Sequence, residues 1–406
     1  MEEVPVDPPD GAGTHLWLWV EKRGLSSEEV AQELARTFQL PRRAVAHAGR
    51  KDVHAVTRQW FSLEGGCAER ARVAGDSADI TSAPAERWMR VLAIAHHPRG
   101  LRPGQSRGNR FRLLLRAIEP EGFARIARGL QTLVERGVPA WYGEQRQGHG
   151  GRNGATGLAL LRGDCPAFAQ MLVGAPHPAD FGRVRAARDA AQTGDFAAAA
   201  RLFPASFTLE QRAARELAGG LDPALLPSRL ARRELQFLVA AAQADLFDRA
   251  LEHRFPHLST LLLGDIAHLH ASRGSFLVED SAREQPRADR FEISPTAPLP
   301  GRRLRPAAAH GARELERAVL AERGLDDAAF DRPMPSREGP WRVDGARRPL
   351  RWPLAAATLT ALGPTDAELC FQLPPGAYAT EVLAELCTHP EGTATDSIHP
   401  AEPPLA

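Results

Sequence analysis

The chain has 406 residues, which is long for a single hydrophobic core, so two domains are the default expectation. Hydrophobic residues make up 43% and charged residues 25% of the sequence, and the formal net charge is +1. This composition is typical of a globular protein. The net charge near zero argues against a strongly basic protein that coats nucleic acid, although it is compatible with a local basic groove.

Cysteine usage and hydropathy indicate the cellular compartment in which the protein works. Four cysteines lie far apart without a CxxC pair, which indicates a reducing compartment without a disulfide framework: Cys67, Cys165, Cys370 and Cys387. No apolar run approaches the roughly 20 residues of a membrane span. The acidic start also lacks the hydrophobic region of a signal peptide. The sequence therefore predicts a cytoplasmic protein that does not bind a membrane.

Local patterns in the first third predict strands and helices. THLWLWVEK (14–22) is typical of a buried strand, and Ser26 stands three residues before Glu29, the capping-box spacing of an amphipathic helix. VTRQWFSL (56–63) alternates, with Thr57 on one face and Arg58 on the other, which predicts a second strand. Further predictions in this part are strands over 88–96 and 109–118, joined by a Gly/Arg loop, and a helix over 121–137 that ends at Gly137.

After the glycine-rich segment 138–154 the character of the chain changes. Helical signals dominate to about residue 340, and strand-like patterns then return at 368–376 before a short helix over 379–387. The tail, 389–406, has the composition of a disordered segment. Strands at both ends with helices between them predict a sheet domain interrupted by an inserted helical domain.

The segment HAGRKDVHAVTRQWFSL (47–63) holds the first candidate for chemistry. Lys51 and Lys22 are the only lysines among 51 Lys and Arg residues, and a compact ammonium indicates a position where the arginine fork would not fit. A lone Asp in such a loop is most often a turn residue. Lys51 and Arg50 would, however, favour an ionised Asp52 carboxylate, which nucleophilic or general-base work requires.

Arginines and glycines form a second cluster: Arg99, Arg102, Arg107, Arg110 and Arg112, interleaved with Gly100, Gly104, Gly108 and Asn109. A charge-rich loop is usually a solvated surface. Arginine forks also match phosphate groups, and glycine lets the backbone approach them. The sequence alone leaves these two interpretations even.

The two tyrosines, Tyr142 and Tyr378, each follow a Pro/Gly turn. Tyrosine more often packs half-buried than lines an active site, but aromatic rings beside basic groups can stack a nucleobase. The histidines show no HExxH pattern and no cysteine at ligand spacing, and no Walker or dinucleotide fingerprint is present, so we predict no metal and no cofactor.

Several segments together, covering residues from about 11 to 387, resemble the tRNA pseudouridine synthase D (TruD) family. The most specific are AGRKDVHAVTRQWFSL (48–63) and FEISPTAPLPG (291–301). The others are GTHLWLWVEKRG (13–24), LRPGQSRGNRF (101–111), VPAWYGEQR (138–146), FLVAAAQADLF (237–247), GARRPLR (345–351) and LPPGAYATEVLAEL (373–386).

The resemblance implies an α+β fold in which a pseudouridine synthase catalytic domain is interrupted by an inserted, largely helical TRUD domain. The catalytic domain, a mostly antiparallel mixed sheet with flanking helices, would comprise 1–157 and 342–406, and the insertion 158–341. The implied activity is isomerisation of uridine 13 in tRNA to pseudouridine, without cofactor or metal. The implied partner is tRNA, and we predict no protein partner. We expect a monomer, because no coiled-coil heptad appears.

The resemblance also assigns residues. Asp52 aligns with the catalytic aspartate, and Tyr378 and Tyr142 fall where the family places Phe near the substrate. Lys51, Arg102, Asn109 and Ala140 complete the predicted substrate-binding set. Ala140 departs from the family pattern, which has Asn there, so a carboxamide that could hydrogen-bond the Asp or the base is missing.

The N-terminus is a second departure. The family begins with a strand that carries a substrate-contacting Phe, whereas this chain starts at the acidic residues that follow it. We expect either a misassigned start codon or a protein without that edge strand and its aromatic wall. An in-frame upstream stretch encoding a Phe-containing strand would establish the first.

Two other functions compete with the enzyme. A non-catalytic family member that binds or folds tRNA would explain Ala140 and the short start, but not the retention of Asp52, Lys51 and both tyrosines. A metal-dependent nuclease would need clustered carboxylates near Asp52, which the sequence does not provide.

Overall fold

The computed structural model describes residues 1–65, 87–308 and 311–388. The chain divides into two compact units, Met1–Val138 with Pro353–Ala406, and Pro139–Trp352. The first unit is therefore discontinuous in sequence. The chain passes into the second unit at residue 139 and returns to the first at 353, whereas the sequence analysis places the domain boundaries at 158 and 342. Cys67 and the tail predicted to be disordered (389–406) lie outside the described residues.

The strands, in chain order, are β1 (Glu2–Pro5), β2 (His15–Arg23), β3 (Val45–His47), β4 (Thr57–Glu64), β5 (Trp88–His97), β6 (Ser106–Leu115), β7 (Val138–Pro139), β8 (Ile266–Leu269), β9 (Ser275–Leu277), β10 (Ile293–Leu299), β11 (Ala346–Pro349), β12 (Arg351–Trp352), β13 (Ala355–Ala361) and β14 (Ala367–Leu373). The α-helices are α1 (Ser27–Thr37), α2 (Gly122–Arg136), α3 (Glu144–Gln147), α4 (Arg152–Arg162), α5 (Cys165–Val173), α6 (Gly182–Gln192), α7 (Phe196–Leu202), α8 (Thr208–Ala218), α9 (Leu226–Arg229), α10 (Arg232–Arg254), α11 (Ser281–Asp289), α12 (Ala312–Glu322) and α13 (Ala379–Thr388).

A mixed sheet organises the first unit. Its strand order is β13-β14-β6-β1-β4-β2-β5, with β3 beside β4. β1 runs parallel to β4, and the other neighbouring strands are antiparallel. Apolar residues of α1 pack on β2 and β4, and those of α2 and α13 pack on β6 and β14. This architecture confirms the predicted α+β class with a mostly antiparallel mixed sheet.

The first residues form a strand that the sequence analysis did not predict. β1 lies inside the sheet, between β6 and β4, and the edges of the path are β13 and β5. Glu2 is opposite Arg58 on β4 and Arg110 on β6, and Glu3 is opposite Asn109. A four-residue strand with two glutamates has no apolar alternation, so only its distant partners reveal it.

Most elements of the first unit were predictable from local signals. The capping box is confirmed, because Ser26 Oγ accepts from Glu29 N at 3.1 Å and Ser26 N donates to Glu29 Oε2 at 2.7 Å. The alternation of β4 is confirmed over 57–61, since Thr57, Gln59 and Phe61 are buried while Arg58 and Trp60 are half-buried; Ser62 and Leu63 are both buried. Among the described residues, none of the helices combines the length and apolarity that spanning a membrane requires.

The second unit is mainly helical and contains a four-stranded sheet of order β11-β10-β8-β9. Its longest helix, α10, is buried along much of its length and packs against α4. The two helices approach closely at Gly157, where a Cβ atom would lie 2.0 Å from the carbonyl oxygen of Leu238. A glycine is therefore required at this crossing.

Candidate active site

Asp52 lies in the loop between β3 and β4, and hydrogen bonds fix this loop. Gln59 Nε2 on β4 donates to Gly49 O at 3.1 Å. Ser27 Oγ accepts from Lys51 N at 3.0 Å and donates to Gln59 Oε1 at 2.7 Å. The loop is thus tied to the start of α1 and to β4, which places Asp52 on a rigid support.

The Asp52 side chain is exposed. Its Oδ1 accepts from His54 N at 2.9 Å, the turn geometry typical of Asp. Among the described residues Oδ2 has no hydrogen-bond donor. The turn interpretation of this Asp is therefore correct, and it is compatible with catalysis, because one oxygen orients the carboxylate while the other stays open to a ligand.

Lys22 is a site residue that the sequence analysis did not assign. Its ammonium donates to the main-chain oxygen of Asp52 at 2.8 Å and to that of Leu25 at 2.6 Å, and the residue is 0% exposed. Burial lowers the pKa of Lys22 to about 8, although the negative charge of Asp52 acts in the opposite direction and raises this pKa. The scarcity of lysine was the available signal, since both lysines bear on this loop.

Lys51 points its ammonium into the sheet. Nζ lies 2.8 Å from Glu3 Oε2 and donates to Asn109 Oδ1 at 2.9 Å. The Lys51 and Glu3 side chains are 5% and 0% exposed. Lys51 and Asn109, both predicted to bind substrate, are therefore neighbours, and a glutamate from β1 neutralises the lysine.

Tyr378 follows β14 after a short turn. Asn109 on β6 is opposite Leu373, the last residue of β14. At Gly108, whose φ is +153°, a Cβ atom would lie 2.2 Å from Leu373 O and 3.3 Å from Pro374 Cα. The half-buried Tyr378 thus belongs to the segment that leaves the sheet beside Asn109, the residue that holds Lys51.

Arg102 is exposed on a loop that packs against the Asp52 loop. Gly104 N donates to Ala48 O at 2.7 Å, and Arg102 N donates to Gln105 Oε1 at 3.0 Å. These contacts hold the main chain around Arg102 against the Asp52 loop, and among the described residues the Arg102 guanidinium has no hydrogen-bond or ion-pair partner.

The predicted Gly/Arg loop needs correction. β6 begins at Ser106, earlier than the predicted start at 109, so Arg107 is a strand residue together with Arg110 and Arg112. Arg110 and Arg112 lie on the face opposite to Asn109, because strand side chains alternate. Arg112 is paired with Glu368, and Arg99 contacts Asp7 at 3.1 Å. The five arginines therefore do not form one continuous strip.

Tyr142 and Ala140 lie in the second unit. Tyr142 N donates to Asp248 Oδ1 at 2.9 Å, and the guanidinium carbon of Arg348 lies 4.2 Å from the centre of the Tyr142 ring. Arg348 Nε donates to Ala140 O at 3.1 Å. Buried Arg348 and half-buried Asp248 thus fix the AWY segment, and neither partner could be inferred from local pattern because both are distant in the chain.

Asp248 is the most perturbed carboxyl of this cluster. Burial raises its pKa to about 7, although hydrogen bonds from Tyr142 N and Gln147 lower it. The folded state therefore holds this proton more strongly than the unfolded state between about pH 4 and pH 7. The free energy of unfolding contributed by Asp248 falls as the pH rises through that interval.

Asp248→Asn should remove this pH dependence. An amide can still accept from Tyr142 N but does not ionise, so at pH 8 the variant should be more stable than the wild type by roughly 1–3 kcal/mol. Urea unfolding at pH 5 and pH 8 measures the difference, with exposed Asp331→Asn as the control for loss of a charge. A variant less stable than the wild type at pH 8 would contradict the burial argument.

Comparisons with known proteins find similarity along nearly the whole chain. The model of the family described as tRNA pseudouridine synthase D (TruD) matches residues 1–386. The chain is 38% identical over 391 residues to tRNA pseudouridine synthase D of Geobacter metallireducens, covering 95% of this chain and 92% of that protein. It is 37% identical to the protein of the same name from Geobacter sulfurreducens, covering 96% and 92%.

A solved structure is similar in fold. The crystal structure of the putative tRNA pseudouridine synthase D (TruD) from Methanosarcina mazei superposes with a TM-score of 0.73 and 22% identity, covering 95% of this chain and 90% of that one.

Proposed function

Because the chain belongs to the tRNA pseudouridine synthase D family, we propose that it isomerises uridine to pseudouridine in tRNA, at uridine 13, with Asp52 as the catalytic carboxylate. The observation that carries this proposal is the exposed Asp52 carboxylate, which accepts from His54 N through one oxygen, while the main-chain oxygen of the same residue accepts from Lys22. A carboxylate that is both fixed and accessible suits nucleophilic or general-base work.

The target uridine must leave the base stack before the carboxylate can reach its sugar, at a cost of roughly a few kcal/mol. We assign phosphate binding to exposed Arg102 and a wall for the flipped base to Tyr378. Lys51 and Asn109, which are hydrogen-bonded to each other, hold the Asp52 loop on the side where the substrate would bind. Tyr142 and Ala140, in the second unit, are retained as substrate-binding positions on the family resemblance.

The reaction conserves every atom. Asp52 attacks the ribose or removes a proton from it, and the bond between N1 and C1′ breaks. The uracil rotates in place and C5 forms the new bond to C1′; this bond displaces the Asp52 carboxylate from the ribose or, in the second case, the ribose takes its proton back from Asp52. The C5 proton then leaves, and N1 gains a proton. No oxidant, reductant or second substrate is required. The detached base must stay confined, because otherwise it would diffuse away before C5 reaches C1′.

Purified protein incubated with an unmodified tRNA transcript tests the function directly. We expect pseudouridine at position 13, detected as a stop in primer extension after carbodiimide treatment, with at least one product per enzyme molecule. Binding of the transcript without product would favour the non-catalytic alternative. Product formation that is unchanged by EDTA would dispose of the metal-dependent nuclease.

We further propose that the enzyme works in the cytoplasm, where tRNA is available, and that it is a monomer. Light scattering coupled to size-exclusion chromatography should then give one chain per particle, with and without tRNA.

A further inference from the structure

Three consecutive residues of the Asp52 loop are held by one short segment at the end of β2. Ser27 Oγ accepts from Lys51 N at 3.0 Å, Lys22 Nζ donates to Asp52 O at 2.8 Å, and Gly24 N donates to Val53 O at 2.9 Å. Asp52 is the middle residue of this clamp. Its contact is the only one of the three that is made by a charged side chain.

Holding a main-chain carbonyl with the Lys22 ammonium requires the burial of a charge, which costs free energy. It is fully buried, and the groups it binds are the neutral oxygens of Asp52 and Leu25. Asp52 and Glu29 attract the charge, whereas Lys51 repels it. Burial of an ion costs several kcal/mol, and an apolar side chain of similar volume is often at least as stabilising. Stability alone therefore does not explain a lysine here.

We propose that Lys22 is a positioning residue, which fixes the main-chain carbonyl of Asp52 and thereby aims the carboxylate at the ribose. The inference rests on the proposed catalytic role of Asp52. The compact ammonium donates to two carbonyls at once, Leu25 O at 2.6 Å and Asp52 O at 2.8 Å. An arginine is longer and needs a planar arrangement of acceptors. An arginine in the space that Lys22 fills would therefore push the Asp52 loop outward.

Lys22→Met tests the proposal, with Arg23→Met as the matched control, because Arg23 is the next residue of β2 and is exposed. We expect kcat for pseudouridine formation to fall by about 100-fold, because a small misplacement of a reacting group has an effect of this size. KM should stay within about twofold, since contacts to tRNA are unchanged. Hydrogen exchange of the His54 amide, measured without RNA, should be faster than in the wild type.

A folded Lys22→Met protein with wild-type kcat, or with unchanged exchange at His54, would overturn the proposal. If this variant does not fold, Lys22→Gln provides the same readings, since its amide can reach one of the two carbonyls. The exchange measurement also separates this inference from the proposed function. Should Asp52→Asn stay active, the catalytic assignment fails, while exchange at His54 still reports whether Lys22 holds the loop.

Discussion

Asp52→Asn should bind tRNA as the wild type does and form no detectable pseudouridine. Asparagine has nearly the same shape, and its Oδ1 can still accept from His54 N, as the Asp oxygen does at 2.9 Å. Lys22 contacts the main-chain oxygen, which the substitution leaves in place. The loop should therefore keep its conformation and lose only the carboxylate, so we expect a loss in kcat of at least about 1000-fold.

Carbodiimide-dependent primer extension on a stoichiometric mixture of enzyme and transcript measures the product, and filter retention measures the binding. Asp7→Asn is the matched control, because Asp7 is a half-exposed aspartate of the same unit that contacts Arg99 at 3.1 Å. It should retain wild-type activity. Normal modification by Asp52→Asn would remove Asp52 from the mechanism and leave the non-catalytic contacts of the loop as its whole role.

Elements with strong local signals could be predicted from the sequence. The capping box of Ser26 and Glu29 and the alternation of 56–63 need no distant information. β1 lacked any such signal. Glu3 in a strand is favourable only because Lys51 meets it inside the sheet, and that pairing is formed by the fold.

The site divides in the same way. The family resemblance assigned Asp52 as the candidate catalytic residue, which stays a prediction, and the sequence pattern marked Lys51 as unusual. Neither could show that Lys22 holds the Asp52 carbonyl, because the scarcity of lysine marks the residue but does not reveal its main-chain partner. The period of two in β6, in contrast, was sufficient to separate Arg110 from Asn109, and the interpretation of the arginines as one loop overlooked it.

Glu3→Gln should destabilise the first unit strongly, because it removes the negative charge beside the buried Lys51 ammonium and leaves it, among the described residues, only neutral amide oxygens as acceptors. Breaking a buried ion pair by removing one partner typically costs about 3–5 kcal/mol. Lys51→Met should cost a similar amount, since it leaves the Glu3 carboxylate in a site where that side chain is 0% exposed. Urea unfolding at pH 7 measures the free energy of unfolding of each variant.

The double variant, Glu3→Gln with Lys51→Met, separates the pair from its surroundings. With both charges removed, no uncompensated ion stays buried, so the double variant should recover most of the stability that either single change loses. Glu2→Gln is the control, because Glu2 is 40% exposed and 3.7 Å from Arg58, and an exposed pair contributes at most about 1 kcal/mol. If Glu3→Gln costs no more than Glu2→Gln, the buried pair does not hold β1 in the sheet. The position of β1 between β4 and β6 must then rest on its main-chain hydrogen bonds.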